Sequence, residues 1–512
     1  MDEQKLAKVD YQKPLEDVSY GEVTAAKGKY QKEINHKIAA IVGEKNVSDM
    51  PEDLEKYASD KSLERYGKPA FVVCPKNMEQ ICELVKYANT IRLPIIPVSS
   101  GTHNYGAALP RMGGMILDLS GWKEIHKIDH RNRAVRVAPG VNYNELQDAL
   151  EKEGLRALIP LLPRKDQSVL TAHMEAHPML IPEFNYSEPL YTAEIVLPSG
   201  ELFRTGSAAV APPEQTQTDM VGPWGPGLDW NRLFTRSQGT LGVITWANIM
   251  AEPKPGKQKL YFTASPDINT LVNFTGRIQK KWIGYECFIL NRTHLANILS
   301  KTPSEREMIQ RKLPAYVQIF CIGGLKRFPD ERIAYQQADF LETSQECGVT
   351  PLHTIPEAPR AADFFEKNLH RCWEGDVYWK DVRRGASADI FFITTMNKAA
   401  DFIHVMQQQA GAAGYNFQDI GFYLQPIENG RAAHVEFSIP FNPEDQQECA
   451  QVKQLHGLAS EEVYNLGALF TRAYGPWAQI TASRNAGQYQ TAKLIKELLD
   501  KNNIMNPGKL GL

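Results

Sequence analysis

The sequence predicts an α+β protein of two domains, and three observations carry that prediction. A chain of 512 residues is too long to bury one compact core. From Ala70 the pattern runs strand, helix, strand, as an α/β unit should. After Pro253-Lys-Pro-Gly256 the rhythm of strands and turns changes, which marks a domain boundary.

The elements follow in chain order. Residues 1–60 alternate charged and apolar positions and read as an N-terminal helical arm. Ala70-Phe-Val-Val-Cys74 is an apolar strand. A helix over 76–90 opens after Pro75 near Asn77, with Ile81, Leu84, Val85 and Ala88 as its apolar face. The next strand, in Ile91-Arg-Leu-Pro-Ile-Ile, runs into Pro97-Val-Ser-Ser-Gly-Thr-His-Asn-Tyr-Gly106. Small residues, a glycine free to take positive φ and open backbone N–H donors suit that turn to an anion-binding nest. An ordinary strand connection is at least as common for such a loop. Gly113-Gly-Met-Ile-Leu-Asp118 is a further strand after a second turn, and Asn142 with Glu145 forms the capping box of another helix. Residues 207–230, rich in Pro, Gly and Thr, are a long excursion. Residues 256–460 form the second domain, with strands at 315–322 and 389–395 and a helix at 398–413. Residues 461–512 end in a helix over 491–501, then Asn-Asn and Pro507-Gly508.

Composition excludes several classes of function. A hydrophobic content of 43% and a charged content of 23% describe an ordinary globular protein. A net charge of -3 gives no electrostatic reason to expect nucleic acid or an anionic membrane as partner. No stretch approaches a membrane span, and the polar start MDEQKLAKVDYQ lacks the apolar region of a signal peptide. Seven scattered cysteines, never spaced as CxxC, argue against a disulfide framework or an iron–sulfur cluster. The expected compartment is the cytoplasm.

The ordered set of motifs resembles the vanillyl-alcohol oxidase and p-cresol methylhydroxylase superfamily. It comprises the loop at 97–106, Leu109-Pro-Arg111, Gly113-Gly114, Ile116-Leu-Asp-Leu119 and Val135-Arg-Val-Ala-Pro-Gly-Val141. Glu201-Leu-Phe-Arg-Thr-Gly206, Leu233-Phe-Thr-Arg-Ser-Gln-Gly-Thr-Leu-Gly-Val-Ile-Thr245 and Asn502-Asn-Ile-Met-Asn-Pro-Gly-Lys-Leu-Gly511 extend it. The resemblance implies a PCMH-type, two-subdomain FAD-binding domain over 61–255, with 461–512 returning to it, and an α+β cap over 256–460. FAD would be held by Pro97, Ser99, Ser100, Gly101, Thr102, His103 and Asn104 of the first loop. Ser168 and Thr171 of the second, with Gly239, Gly242, Val243 and Ile244, complete that set. Lys509 would lie near the flavin ring, where a cation stabilises the reduced anion.

The second loop departs from the family. Pro163-Arg-Lys-Asp-Gln-Ser-Val-Leu-Thr-Ala-His-Met-Glu-Ala-His-Pro178 lacks the usual glycines, and Arg164 or Lys165 is left to offset phosphate charge. His173 and His177 sit at i and i+4, but metal binding there is the minority reading, and no metal is expected. His103 and His434 are alternative covalent tethers for the flavin; His103 reads first as a loop histidine bonding backbone carbonyls, and His434 equally as a hydrogen-bonded strand histidine. Tyr105 is either a substrate contact or an aromatic packed under the flavin. Tyr489, placed just before the last helix, and Arg472 join it as substrate contacts, Arg472 having a domain-interface salt bridge as its alternative. Glu436 shares a strand face with His434 and serves to orient it or to act as a base.

The activity expected from this set is FAD-dependent oxidation, with a substrate C–H hydride delivered to flavin N5. The substrate is a 4-alkylphenol or 4-hydroxybenzyl alcohol. The alternatives are a D-2-hydroxy acid of the lactate or glycolate kind, and a flavin-carrying electron-transfer subunit without catalysis of its own. A cytochrome, a quinone, an electron-transfer flavoprotein or oxygen would accept the electrons. The resemblance implies a homodimer or other homo-oligomer.

Overall fold

The computed structural model describes residues 29–100, 105–181, 189–210, 218–225 and 227–512. Most of the arm expected over 1–60 therefore lies outside the described residues, as do Gly101, Thr102, His103 and Asn104. Within the arm, Lys29–Val42 is helical and buries Tyr30, Ile34, Ile38 and Val42 against the first sheet.

Three sheets are built in sequence. The first takes β1 (Val47–Ser48), β2 (Phe71–Val73), β3 (Ile95–Val98) and β4 (Met115–Asp118) in the order β1-β2-β4-β3, with β2, β4 and β3 parallel. Parallel pairing needs a crossover, which the helix Met78–Ile91 supplies. Asn77 caps that helix by accepting from the Gln80 N–H, and Ile81, Leu84, Val85, Ala88 and Ile91 form its buried stripe.

The second sheet contains β5 (Ile125–Asp129), β6 (Ala134–Val137), β7 (Leu155–Ala157), β8 (Leu190–Val196), β9 (Leu202–Arg204) and β10 (Val243–Pro253). Its order is β5-β6-β10-β8-β9, with β7 also pairing β10. The expected capping box is present: the Asn142 side chain accepts from Glu145 N, and Glu145 Oε2 accepts from Asn142 N at 3.0 Å. β10 ends at Pro253, and the next strand begins at Lys257, so the Pro-Lys-Pro-Gly turn does separate two sheets.

The third sheet is antiparallel throughout. It holds β11 (Lys257–Ser265), β12 (Cys287–Asn291), β13 (Tyr316–Gly324), β14 (Pro351–Leu352), β15 (Ala386–Thr394), β16 (Gly421–Ile427) and β17 (Ala432–Phe441). Their order is β14-β11-β13-β12-β16-β17-β15. The register pairs Phe391 with Glu436 and Ile393 with His434. Shared cores join this sheet to the second subdomain: Leu161 and Leu180 pack with Phe288 and Trp379, and Cys372 and Ile427 pack among residues of the second sheet.

The C-terminal segment divides its attachments. Residues from Val452 to Trp477 pack in the core of the third sheet. Ile504 and Met505 instead join the first core, where Ile95 N donates to Ile504 O at 2.6 Å and Asn506 N donates to Ile95 O at 2.8 Å. The last helix spans Ala486–Leu499, five residues earlier than expected, because the Asn485 side chain caps it by accepting from Gln488 N.

Candidate functional site

A cavity of about 700 Å³ lies where the three sheets meet, a size suited to an organic ligand. One wall is the first loop, Pro97 to Ser100, and facing it are Ser168 and Thr171. The Ser99 and Thr171 hydroxyls hydrogen-bond each other, so the two expected phosphate loops meet directly. Ser168 caps the short helix Val169–Met174 and donates from Oγ to Pro139 O at 2.5 Å. Thus the glycine-poor second loop approaches through a helix start rather than through bare backbone.

Gly239, Gly242 and Ile244 line the same wall. At Gly239 (φ +72°) an added Cβ would stand 2.6 Å from Pro97 Cγ, and at Gly242 2.7 Å from Val196 O. Only glycine allows this segment to lie so close to the first loop. Val243 falls outside the lining: it is fully buried in β10 and packs in the first core. Alternation along a strand turns it away from the cavity that Gly242 and Ile244 reach.

The other end of the cavity is aromatic and ionic. Tyr105 (φ +66°) adopts a left-handed conformation that costs a non-glycine residue about 1–2 kcal/mol. The turn aims its ring at the third sheet, where it stacks on Tyr474 (5.2 Å, 19°) and meets Phe391 edge-on at 5.1 Å. Its hydroxyl donates to Asp389 Oδ2 at 3.1 Å. Lys380 Nζ donates to the same Oδ2 at 2.9 Å and also to Glu436. Glu436 Oε2 lies 3.6 Å from His434 Nε2, a nitrogen with no hydrogen-bond partner among the described residues, as is also true of Nδ1. Lys380, Asp389, Glu436 and His434 are all at least nine-tenths buried.

The charges in this cluster hold one another. Burial works against ionisation of Lys380, yet the Asp389 and Glu436 carboxylates keep its pKa well above the usual value. Burial pushes Asp389 up, with Lys380 pulling against it, and the net shift is upward. Glu436 feels the same burial, but Lys380 and His434 hold it well below the usual carboxylate range. Burial drives His434 down and favours its neutral form.

Arg472, 3% exposed, lines the cavity with its guanidinium 3.8 Å above the Phe391 ring. Tyr474 donates to Glu175 Oε2 at 2.7 Å. Tyr489 is placed elsewhere. It lies inside the last helix, outside the cavity lining, and its hydroxyl donates to Gly511 O at 2.6 Å. Lys509 is likewise outside the lining: Nζ donates to Gly106 O at 2.6 Å and sits 4.4 Å over the Tyr66 ring. It braces the first loop from behind. Burial, with Arg111 adding to it, pushes its pKa down to about 8.

His173 and His177 do not share a helical face, because the helix stops at Met174. His173 Nδ1 contacts Val169 O at 2.9 Å, and His177 Nδ1 contacts Gln167 Nε2 at 3.1 Å. Among the described residues, no group of three His, Cys, Asp or Glu side chains is placed to hold a metal ion. Arg164 is 3.0 Å from Asp381 and 4.0 Å over the Tyr378 ring, while Lys165 is exposed. The residues that sequence reading missed are Lys380, Asp389 and Tyr378. The one local signal is a lysine at the end of the aromatic run Tyr378-Trp379.

FAD fits these surroundings. The cavity offers hydroxyl and backbone groups of two apposed loops at one end and a histidine with open ring nitrogens at the other. Pro97 to Ser100, Ser168, Thr171, Gly239, Gly242 and Ile244 line the cavity and are the residues that would hold it.

Comparison with known proteins agrees. Residues 69–206 match the FAD binding domain family. The chain is 27% identical over 232 residues to glycolate oxidase subunit GlcD of Bacillus subtilis, covering 44% of this chain and 46% of that protein. The cytochrome-linked mitochondrial D-lactate dehydrogenase of Arabidopsis thaliana is 27% identical over 507 residues, 94% of this chain and 81% of that one. For the first matches, the aligned part spans about half the length of the relative. Among solved structures, p-cresol methylhydroxylase with substrate bound superposes with a TM-score of 0.79 at 18% identity, over 97% of this chain and 98% of that one. That likeness establishes the α+β fold.

Proposed function

We propose that the chain is a member of the p-cresol methylhydroxylase-type FAD-binding superfamily and, on that premise, an FAD-dependent oxidoreductase of hydroxylated substrates. Bound FAD supplies a two-electron oxidant that accepts a hydride from a substrate carbon at N5. The protein's own part is to bind the substrate, exclude water and manage the hydroxyl proton, because a donor carbon releases hydride more readily once that oxygen is an anion.

The substrate class favoured is a 4-alkylphenol or 4-hydroxybenzyl alcohol. The observation that carries it is the aromatic lining: Tyr105 stacked on Tyr474, with Tyr378, Trp379 and Tyr423 around the same end of the cavity. Offset and edge contacts from such rings suit a flat aromatic guest. Arg472 and Lys380 provide cations for a developing phenolate. A second reading, a D-2-hydroxy acid, draws support from the same two cations and from the near full-length match to a D-lactate dehydrogenase.

Steady-state turnover of 4-cresol and vanillyl alcohol against D-lactate and glycolate, with an artificial electron acceptor, separates the two. The expected result is at least tenfold higher kcat/KM for the phenols. Turnover of D-lactate alone would overturn the phenol assignment. A purified protein that carries no flavin after incubation with FAD would overturn the oxidoreductase reading itself.

A further inference from the structure

Resting on the oxidoreductase reading above, we infer that Asp389 takes the proton of the substrate hydroxyl, relayed through Tyr105, and that Lys380 is the positioning residue that tunes this acceptor. The geometry is complete on the protein side. Tyr105 lines the cavity and its hydroxyl already donates to Asp389 Oδ2 at 3.1 Å. Asp389 also lines the cavity, 7% exposed, on the central part of β15. Its other oxygen, Oδ1, accepts from Ser387 Oγ at 2.9 Å, which fixes the carboxylate plane.

The groups facing Asp389 come from every neighbouring element. Ser387 lies on β15 itself, and Glu436 and Ser438 come from β17. Lys380 and Tyr378 come from the segment before β15, and Tyr105 from the first loop. His456, from the helix Gln446–Asn465, meets the Asp389 carbonyl at 3.2 Å, and Arg472 lies over the adjacent Phe391. One ammonium thus faces two carboxylates, so the trio carries a surplus negative charge that one proton would cancel. Glu436 is paired with Lys380, has His434 Nε2 3.6 Å away, and holds its charge. Asp389 is the member left to accept the proton, and burial has already raised its affinity for one. Burial, with Asp389 adding to it, keeps the Tyr105 hydroxyl protonated, which suits a relay rather than a base.

The step moves one proton and no electrons. The substrate O–H bond breaks and its proton bonds to Tyr105 Oη. The original Tyr105 proton passes to Asp389 Oδ2, leaving a neutral carboxylic acid and a substrate oxyanion. The oxyanion is the form from which bound FAD would take the hydride, and Asp389 returns its proton to solvent after the product leaves.

The test uses flavin-loaded wild-type, Asp389→Asn, Tyr105→Phe and Lys380→Met enzymes, each checked for flavin content and secondary structure. The readout is kcat and kcat/KM against pH, on whichever hydroxylated substrate the wild type oxidises. Wild type should lose activity at low pH, with an acidic limb above the ordinary aspartate range. Asp389→Asn should lose about 10²–10⁴-fold in kcat with a smaller change in KM, and its acidic limb should vanish. Lys380→Met should shift the limb upward by about 1–3 units, because an attractive cation has been removed. Tyr105→Phe keeps the Asp389–Lys380 pair, so its expected loss in kcat tests the relay even where the lysine variant fails to fold. An unchanged limb in Asp389→Asn, or a limb that stays or falls in Lys380→Met, overturns the relay while leaving the oxidoreductase reading standing. A wild type that oxidises neither substrate class overturns both.

Discussion

Replacing Lys496 with methionine should destabilise the flavin domain by about 3–5 kcal/mol, the cost of breaking a buried pair by removing one member. The structure shows why. Lys496 Nζ, 4% exposed at residue level, donates to Thr240 O at 2.8 Å, to Met505 O at 2.7 Å and to Asp500. Methionine fills the same space but leaves two carbonyls and a carboxylate without that donor. Each buried orphan costs about 1–3 kcal/mol, and Asp500 keeps its bonds from Ile504 N (2.9 Å) and Met505 N (2.8 Å), so the lower half of the range is expected. Because Thr240 follows Gly239 in the cavity wall, flavin retention should fall with stability. Urea denaturation followed by far-ultraviolet circular dichroism, with flavin fluorescence in parallel, measures both. Lys496→Met/Asp500→Asn should recover part of the loss, since it removes the unpaired charge. A single variant within about 1 kcal/mol of wild type, at equal flavin content, would refute the clamp.

Acid should destabilise the protein well above the carboxylate range. Burial pushes His173 down to about 4 and His294 down to about 3. The folded state then refuses a proton that the unfolded chain accepts near 6.5. The stabilisation is present above that value and is lost as pH falls toward 4. At pH 5 each histidine should cost roughly 2 kcal/mol relative to neutral pH. Urea midpoints at pH 7 and pH 5 check this, and His173→Gln and His294→Gln should each flatten the dependence. Tyr489→Phe should leave kcat/KM within about twofold of wild type, because its hydroxyl donates to the Gly511 carbonyl and the residue lies outside the cavity lining. A tenfold loss would place Tyr489 at the substrate after all.

What could be read from the sequence followed from how local each signal was. The Asn142–Glu145 capping box spans three residues and appears as expected. β17, Ala432–Phe441, follows from its alternation, and the pairing of His434 and Glu436 on one face follows with it. The boundary at Pro253-Lys-Pro-Gly256 is legible because two prolines end a strand. Tyr489 is read by resemblance as lying just before the last helix, and the Asn485 cap moves the helix start ahead of it. Lys380 and Asp389 are invisible for a different reason. Their meaning comes from Tyr105, which reaches Asp389 across 284 positions, and no periodicity records such a contact.

The way the chain ends its path also sets when the flavin domain can be finished. Asn506 reaches back to Ala107 across 399 positions, and Ile504 closes onto Ile95. On a ribosome elongating at about 5–20 residues per second, the first sheet waits roughly 20–80 s for that closing segment. During the wait, the whole cap must be made and is free to fold on its own short-range pairings. Cofactor capture is accordingly a late event, and it awaits the synthesis of residues 504–506.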